Sequence, residues 1–203
     1  MSKNDDLWLT DQPDGATPLT DDDREALKLD WVATRGELNA VERNNILKAR
    51  MQPKWNRMVI STLLDDMTIR DLHEAMFSDV WNWAGKYRSC ELTIGIAPDQ
   101  VSVAVRQLVE NAKLWFDIVD PVEIHKAACK LHHRLVVIHP FNNGNGRFAR
   151  EYTDLILQSM QQDAFTWGIG VTKSESNVRD IYVLALREAD NGNFEPLYQF
   201  VRG

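Results

Sequence analysis

Behind Asp120, apolar side chains recur every three or four residues, at Ile124, Ala127, Ala128, Leu131, Leu135 and Ile138. That spacing is the α-helical period, and it gathers these residues on one face that must be buried against other elements. Asp120-Pro121-Val122-Glu123 is a helix start: a capping carboxylate, proline at the first position and an acid in the first turn. The same period returns at Val101, Val105, Leu108, Val109, Ala112, Trp115 and Phe116. It returns at Ile69, Leu72, Ala75 and Met76, where Thr68 and Asp71 read as a capping box. Phe148, Tyr152, Leu155 and Ile156 mark a helix from Arg147 to about Met160. Val178, Ile181, Tyr182, Ala185 and Leu186 mark one from Ser176 to Ala189, and Pro196 opens a short last helix. Near the start, Thr20 followed by three aspartates opens a helical pattern that runs, with a break at Gly36, to Arg50. Only Tyr87 to Val103 departs from the period: Thr93, Ile94 and Ile96 are β-prone, and Gly95, Pro98 and Asp99 are turn residues. The pattern predicts an all-α fold with one small β-hairpin.

A chain of 203 residues suits one domain, or one domain with a small appendage. Two cysteines, Cys90 and Cys129, are too few for a disulfide framework. Cys129 sits among apolar helical positions and reads as an inert core thiol; Cys90 falls in the hairpin. Nothing at the N-terminus reads as a signal peptide, and no run of about 18 apolar residues predicts a membrane span. A cytoplasmic protein is the expectation. The formal net charge of −7 disfavours a long nucleic acid as a direct partner. The first thirty residues account for −6 of it, in a breaker-rich lead-in with Pro13, Gly15 and Pro18 that Trp8 could anchor. Between Ile124 and Arg150 there is no acid, and five bases are present: Lys126, Lys130, Arg134, Arg147 and Arg150.

Those bases lead to the one stretch that carries chemistry, His139-Pro140-Phe141-Asn142-Asn143-Gly144-Asn145-Gly146-Arg147-Phe148-Ala149-Arg150. It joins two helical patterns, so His139 emerges at a helix end. Gly144 and Gly146 permit positive φ and close backbone approach. Successive backbone N–H groups in such a loop form an anion nest, and the next helix adds its positive dipole end. Arg147 and Arg150 share a face of that helix's first turn, where cations oppose the dipole. A bound polyanion offsets that repulsion. The loop lacks the Lys-Ser/Thr ending of a P-loop. A histidine beside a phosphate cradle has the pKa of a general base. A Gly/Asn-rich turn with solvated arginines is the bland alternative. His125, His132, His133 and His139 lie near one another, but without zinc-site spacing.

This stretch resembles the Fic (filamentation induced by cAMP) motif, H-P-F-x-[D/E]-G-N-G-R-x-x-R, at every specified position but one. Trp81-Asn82-Trp83-Ala84-Gly85-Lys86-Tyr87-Arg88 is similar to the family segment that leads into a flap hairpin. His132 to Val136, Phe165 to Gly168 and Tyr182 to Asp190 resemble the mobile mystery protein B subfamily. The resemblance implies a Fic-type helical bundle organised as an acidic lead-in and helix (1–34), a candidate inhibitory helix (35–52) and a catalytic core (53–203) with its flap near 88–103. It implies transfer of AMP from ATP to a Ser, Thr or Tyr hydroxyl of a target protein, or of the protein itself. His139 takes the hydroxyl proton, and Pro140 and Phe141 anchor the loop. Asn142, Asn143, Gly144, Asn145 and Gly146 cradle the phosphates, Arg147 and Arg150 meet the β- and γ-phosphates, and Tyr182 lines the adenine pocket. Thr93, Ile94, Gly95 and Ile96 align the target segment by strand addition. A companion DNA-binding protein is expected of the subfamily.

Two departures qualify this. Asn143 stands where the family has an acid that holds Mg²⁺, and a neutral amide is a weaker ligand for a hard cation. A nucleotide-binding regulator, or one half of a toxin–antitoxin-like pair, is therefore the alternative function. The family's inhibitory pattern, [S/T]-x-x-x-E-[G/N], puts Glu42 opposite Arg150, but Leu38 and Arg43 stand at its flanks. Glu37 is the second choice.

Overall fold

The computed structural model describes residues 21–117, 120–169 and 175–203; the lead-in with Trp8 lies outside the described residues. The described residues form α1 (Asp21–Ala26), α2 (Arg35–Arg50), α3 (Ile60–Leu63), α4 (Asp66–Phe77), α5 (Val101–Trp115), α6 (Pro121–Ile138), α7 (Asn145–Ser159), α8 (Glu175–Asp190) and α9 (Glu195–Arg202). Single 3₁₀ turns lie at Trp55–Arg57 and Pro98–Gln100. An antiparallel β-bridge pairs Leu27 with Trp81. The fold is all-α, as the apolar periods predict. No helix of the described residues is long and apolar enough to cross a membrane.

Caps decide the helix starts. The Asp120 side chain accepts from the N–H groups of Val122 and Glu123, so α6 begins where the sequence predicts. At α4 the cap is Asp65, whose carboxylate takes the N–H groups of Met67 and Thr68. Thr68 therefore lies inside the helix, with its hydroxyl donating to the Thr62 carbonyl, and is not the cap that its spacing to Asp71 suggests. The break expected at Gly36 falls earlier, between Leu27 and Thr34, because the bridge to Trp81 pulls the chain out of helix. Thr34 and Glu37 then form a reciprocal capping box that starts α2.

Helix α7 is the centre of the molecule. From Asn145 to Leu157 all its residues are buried except Gly146 and Asp154, including the charged Arg147, Arg150 and Glu151. Helix α6 covers one side with Leu131, Leu135 and Ile138. Helix α4 covers another with Ile69, Leu72 and Met76, and α2 packs on α4 through Leu38, Ile46 and Ala49. Phe148 and Tyr152 are fully buried within α7, each worth about 1.5–3 kcal/mol by area. Behind α6, a hollow of about 430 Å³ opens between α5, α6 and the turn before α9, lined by Trp115, Lys130, His133 and Asp190. None of its lining residues belongs to the His139–Arg150 stretch.

The expected hairpin takes a different form. Residues 88–97 make an irregular loop without ladder hydrogen bonds. The reason is Arg88, whose guanidinium enters the loop and donates to the carbonyls of Cys90 and Ile96, so one side chain closes the loop in place of paired strands.

Asn45 joins α2 to the end of α4: its Nδ2 donates to the Ala75 carbonyl at 3.1 Å, and its Oδ1 accepts from Asp79 N–H at 2.9 Å. Asn45→Ala leaves both groups without that partner. Urea denaturation of the variant should show a loss of about 2 kcal/mol.

Candidate active site

The loop between α6 and α7 begins with a left-handed residue. His139 caps α6 at φ 53° and ψ 62°, a conformation that a non-glycine residue holds only when its surroundings impose it. Arg88 supplies much of that constraint. Its Nε donates to the His139 carbonyl at 2.7 Å, its Nη2 to the Ile138 carbonyl at 3.4 Å, and its backbone N–H to the Pro140 carbonyl at 3.0 Å. A cation that satisfies the last carbonyls of a helix also suits the negative end of the helix dipole. Gly95 lies against the same residue: a Cβ there would come within 2.8 Å of the His139 Cβ and 2.7 Å of Arg88 Nη2. The 88–97 loop therefore rests on His139, and Ile94 beside it is exposed. Cys90 is exposed too, with its Sγ 3.7 Å from the Asn142 Oδ1.

The turn itself is closed by Asn145. Its Oδ1 accepts from Phe141 N–H at 2.8 Å, and its Nδ2 donates to the Phe141 carbonyl at 2.7 Å. The amide is buried and engaged on both sides. The side chain thus clamps the loop from within. Phe141 points into the core and stacks on His73, with ring centroids 3.6 Å apart. Gly144 is the N-cap of α7 at φ 76°, and a Cβ there would lie 2.4 Å from the Phe77 ring. Only glycine fits. No side chain caps α7, and no acid sits in its first turn.

His73 escaped the sequence reading. It is fully buried, its Nε2 donates to the Asn143 carbonyl at 3.1 Å, and its Nδ1 accepts from Gly85 N–H at 3.1 Å. Burial holds its pKa down at about 3, so it stays neutral and keeps the tautomer that grips the loop. Its place on the apolar stripe of α4, one residue after Leu72, is the signal that could have marked it. Arg88 was legible only as the end of the family segment.

The two arginines of α7 face different neighbours. Arg147 and Glu151 form one ridge, directed at α2: Arg147 Nη1 donates to Glu42 Oε2 at 2.8 Å, and Arg50 pairs with Glu151. Arg150, turned away from that ridge, lies 5.9 Å from the Tyr182 ring of α8. The expectation that Glu42 faces Arg150 is corrected accordingly, because α2 runs along the Arg147–Glu151 ridge. Glu37, the second choice, is engaged in the capping box of α2. Tyr182 shares a hydrogen bond of 2.8 Å with His132 Nε2. His132 is held neutral, with a pKa of about 3, by burial and by the charge of Arg150. His133 turns the other way, to Asp190 at 2.9 Å. Cys129 is buried, and its thiol is pushed up to about 12 by burial, as an inert core thiol requires.

The residues present do not fit a protein-held divalent cation. The Asn143 Oδ1 accepts from Gly144 N–H at 2.7 Å, inside its own turn. Among the described residues no cluster of three His, Cys, Asp or Glu side chains is arranged to hold a metal. The motif stretch itself contains no carboxylate before Glu151.

This geometry, a left-handed histidine at one helix end followed by an uncapped buried helix start, belongs to a recognisable fold. The structure superposes on the BepC protein of Bartonella tribocorum, described with bound AMPPNP, with TM-score 0.69 and 17% identity over 97% of this chain and 95% of that one. Fic-1 of Caenorhabditis elegans superposes with TM-score 0.61 and 20% identity over 80% of this chain and 48% of the other. Residues 63–157 match the model of the Fic/DOC family. In sequence, the chain is 26% identical over 159 residues to protein adenylyltransferase fic-1 of C. elegans, covering 72% of this chain and 28% of that protein. It is 31% identical over 123 residues to protein adenylyltransferase Fic of Nematostella vectensis, covering 58% of this chain and 26% of that protein. The chain thus spans about a quarter of the length of these curated relatives.

Two predictions follow from the supports of the loop. His73→Phe keeps a ring against Phe141 but strips Gly85 N–H and the Asn143 carbonyl of their partner. It should lower stability by about 2–4 kcal/mol in urea denaturation. Asp154 supports the site from behind, accepting from Trp167 Nε1 at 2.8 Å and Phe165 N–H at 3.2 Å, while Trp167 packs on His132. Burial pushes its carboxyl up from 3.8 to about 7. The folded state therefore holds this proton more tightly than the unfolded chain. The contribution of this group to stability is accordingly most favourable below the unfolded pKa and is lost as the pH rises towards 7. Urea denaturation between pH 4 and 8 should show a shallower decline for Asp154→Asn than for the unsubstituted protein.

Proposed function

We propose that the protein is a Fic-type nucleotidyltransferase that moves AMP from ATP onto a Ser, Thr or Tyr hydroxyl of a target protein, or onto itself. The observation that carries this reading is the juxtaposition of His139, in its imposed left-handed conformation, with the uncapped N-terminus of α7. Backbone N–H groups and a helix dipole aimed at one place suit a phosphate chain. The similarity to named adenylyltransferases supports the choice of nucleotide.

In this reading the phosphates of ATP lie over the Asn142–Gly146 backbone, and Arg150 meets the far end of the chain. The His139 Nδ1 lies 3.4 Å from the Val136 carbonyl. A proton on Nδ1, directed there, leaves Nε2 with its lone pair for the incoming hydroxyl. As the hydroxyl oxygen bonds to the α-phosphorus, its proton passes to Nε2, the α–β phosphoanhydride bond breaks, and pyrophosphate leaves with that electron pair. The protein's part is positioning and charge stabilisation, as phosphoryl chemistry demands. The 88–97 loop, resting on His139 with Ile94 exposed, receives the target segment through Thr93, Ile94, Gly95 and Ile96. Tyr182 borders the nucleotide beside Arg150. Residues 53–203 form the catalytic core of this proposal.

A second reading, nucleotide binding with little transfer, is favoured by the Asn143 side chain, which offers no charge and is engaged by Gly144 N–H. Membership of the mobile mystery protein B subfamily, a bacterial source, a cytoplasmic site and a companion DNA-binding protein belong with either reading.

Calorimetry with ATP, and incubation with labelled ATP and candidate targets, separate the two. ATP should bind the unsubstituted protein, and Arg150→Ala should weaken binding by about tenfold or more, the value of one charge-assisted contact. His139→Ala should bind ATP normally and abolish labelling. Binding with no labelling in any form supports the regulator; no ATP binding at all overturns both readings. Removing Mg²⁺ should change ATP affinity by no more than about threefold, since no carboxylate of the loop contributes to a metal.

A further inference from the structure

Glu42 is among the most deeply buried charged groups of the chain, at 2% exposure. It lies on α2, outside the residues matched by the family model. Both of its oxygens are engaged. Oε1 accepts from Trp81 Nε1 at 2.6 Å, and Oε2 accepts from Arg147 Nη1 at 2.8 Å. Arg147 is itself 2% exposed, and its guanidinium lies 5.1 Å from the Phe77 ring. Phe77 is the ring that permits only glycine at Gly144. Trp81 stacks on Trp83 at 5.0 Å, and Trp83 lies 5.9 Å from His73, which grips the Asn143 carbonyl. One carboxylate thus joins α2, the 81–83 segment and the first turn of α7, at the point where the motif loop enters the helix.

An inhibitory carboxylate needs a different setting. It must stand in the space that a phosphate fills, and it must be able to leave. Glu42 is enclosed by two donors and a packed core, and α2 is held along its length by Asn45 to Ala75 and Asp79 and by Arg50 to Glu151. A buried ion pair of this kind strongly resists the loss of one partner, because the other charge is left unpaired in a dry place.

We propose that Glu42 is a positioning residue: it holds Arg147 in the first turn of α7, so that α2 is part of the working site and not a removable inhibitory segment. Arg150, beside Tyr182, is then the arginine presented to the ligand, and Arg147 is the strut that sets where the loop stands. The nucleotide arm of the test rests on the function proposed above; the exchange arm does not.

The test is a double-substitution cycle with Glu42→Leu, Arg147→Met and the pair together, the pair leaving no lone buried charge if a single variant fails to fold. ATP affinity by calorimetry should fall by about tenfold or more in each single variant. The pair should match Arg147→Met alone, since Glu42 acts through Arg147. Tighter ATP binding or raised self-labelling in Glu42→Leu overturns the proposal in favour of an inhibitory role. Unchanged affinity in Glu42→Leu overturns it, and so do losses that multiply in the pair. Hydrogen exchange of the backbone amides of residues 141–148 reads the same point without nucleotide. Exchange there should accelerate in Glu42→Leu and equally in the pair, with α9 unaffected. Protection equal to that of the unsubstituted protein overturns the proposal even if ATP never binds. Failure of ATP to bind the unsubstituted protein overturns only the nucleotide reading.

Discussion

The two hydrogen bonds between the Asn145 amide and the Phe141 backbone are the constraint on which the rest of the site depends. They close a turn that has no helical or strand hydrogen bonds of its own. With Phe141 tied down, its ring can enter the core and stack on His73, and Asn143 and Gly144 are brought round to start α7. A buried amide can serve both the N–H and the carbonyl of one residue, which neither a carboxylate nor an ammonium or guanidinium group can do. That is a sufficient physical reason for asparagine here, independent of any contact with ligand.

Around that clamp, the structure places polar side chains inside the molecule and satisfies them in sets. Arg88 closes the end of α6 and the 88–97 loop together. His73 remains neutral because burial disfavours its charged form, and neutrality lets it donate on one side and accept on the other. Glu42 and Arg147 are charged and buried, and they are tolerable only together. The central helix α7 is accordingly buried almost all round despite Arg147, Arg150 and Glu151. A site built this way holds its backbone by internal hydrogen bonds, the arrangement that chemistry depending on position calls for.

Much of the helical architecture was legible in local pattern. The stripe from Ile124 to Ile138 and the cap at Asp120 announce α6 because a cap and an apolar period are properties of neighbouring residues. The motif loop was legible as a joint between two helices for the same reason. The cap of α4 was misread because Thr68 and Asp71 have the right spacing, yet Asp65 lies closer to the true start and takes the free N–H groups. The hairpin was misread because β-prone residues near a turn imply pairing only if backbone groups find each other. Here the Arg88 guanidinium reaches them first.

By itself, then, the sequence determined the helices, the order in which they come and the loop that carries His139, since each is written in side chains a few residues apart. Only the tertiary structure decided which charges meet. Glu42 and Arg147 are separated by more than a hundred positions, and Arg147 and Arg150 look equivalent on a helical wheel. Their difference comes from what is packed on each side of α7: α2 along the Arg147–Glu151 ridge, and Tyr182 of α8 beside Arg150. Interhelical packing sets that choice, and it depends on the whole core, where no short spacing in the chain can reveal it.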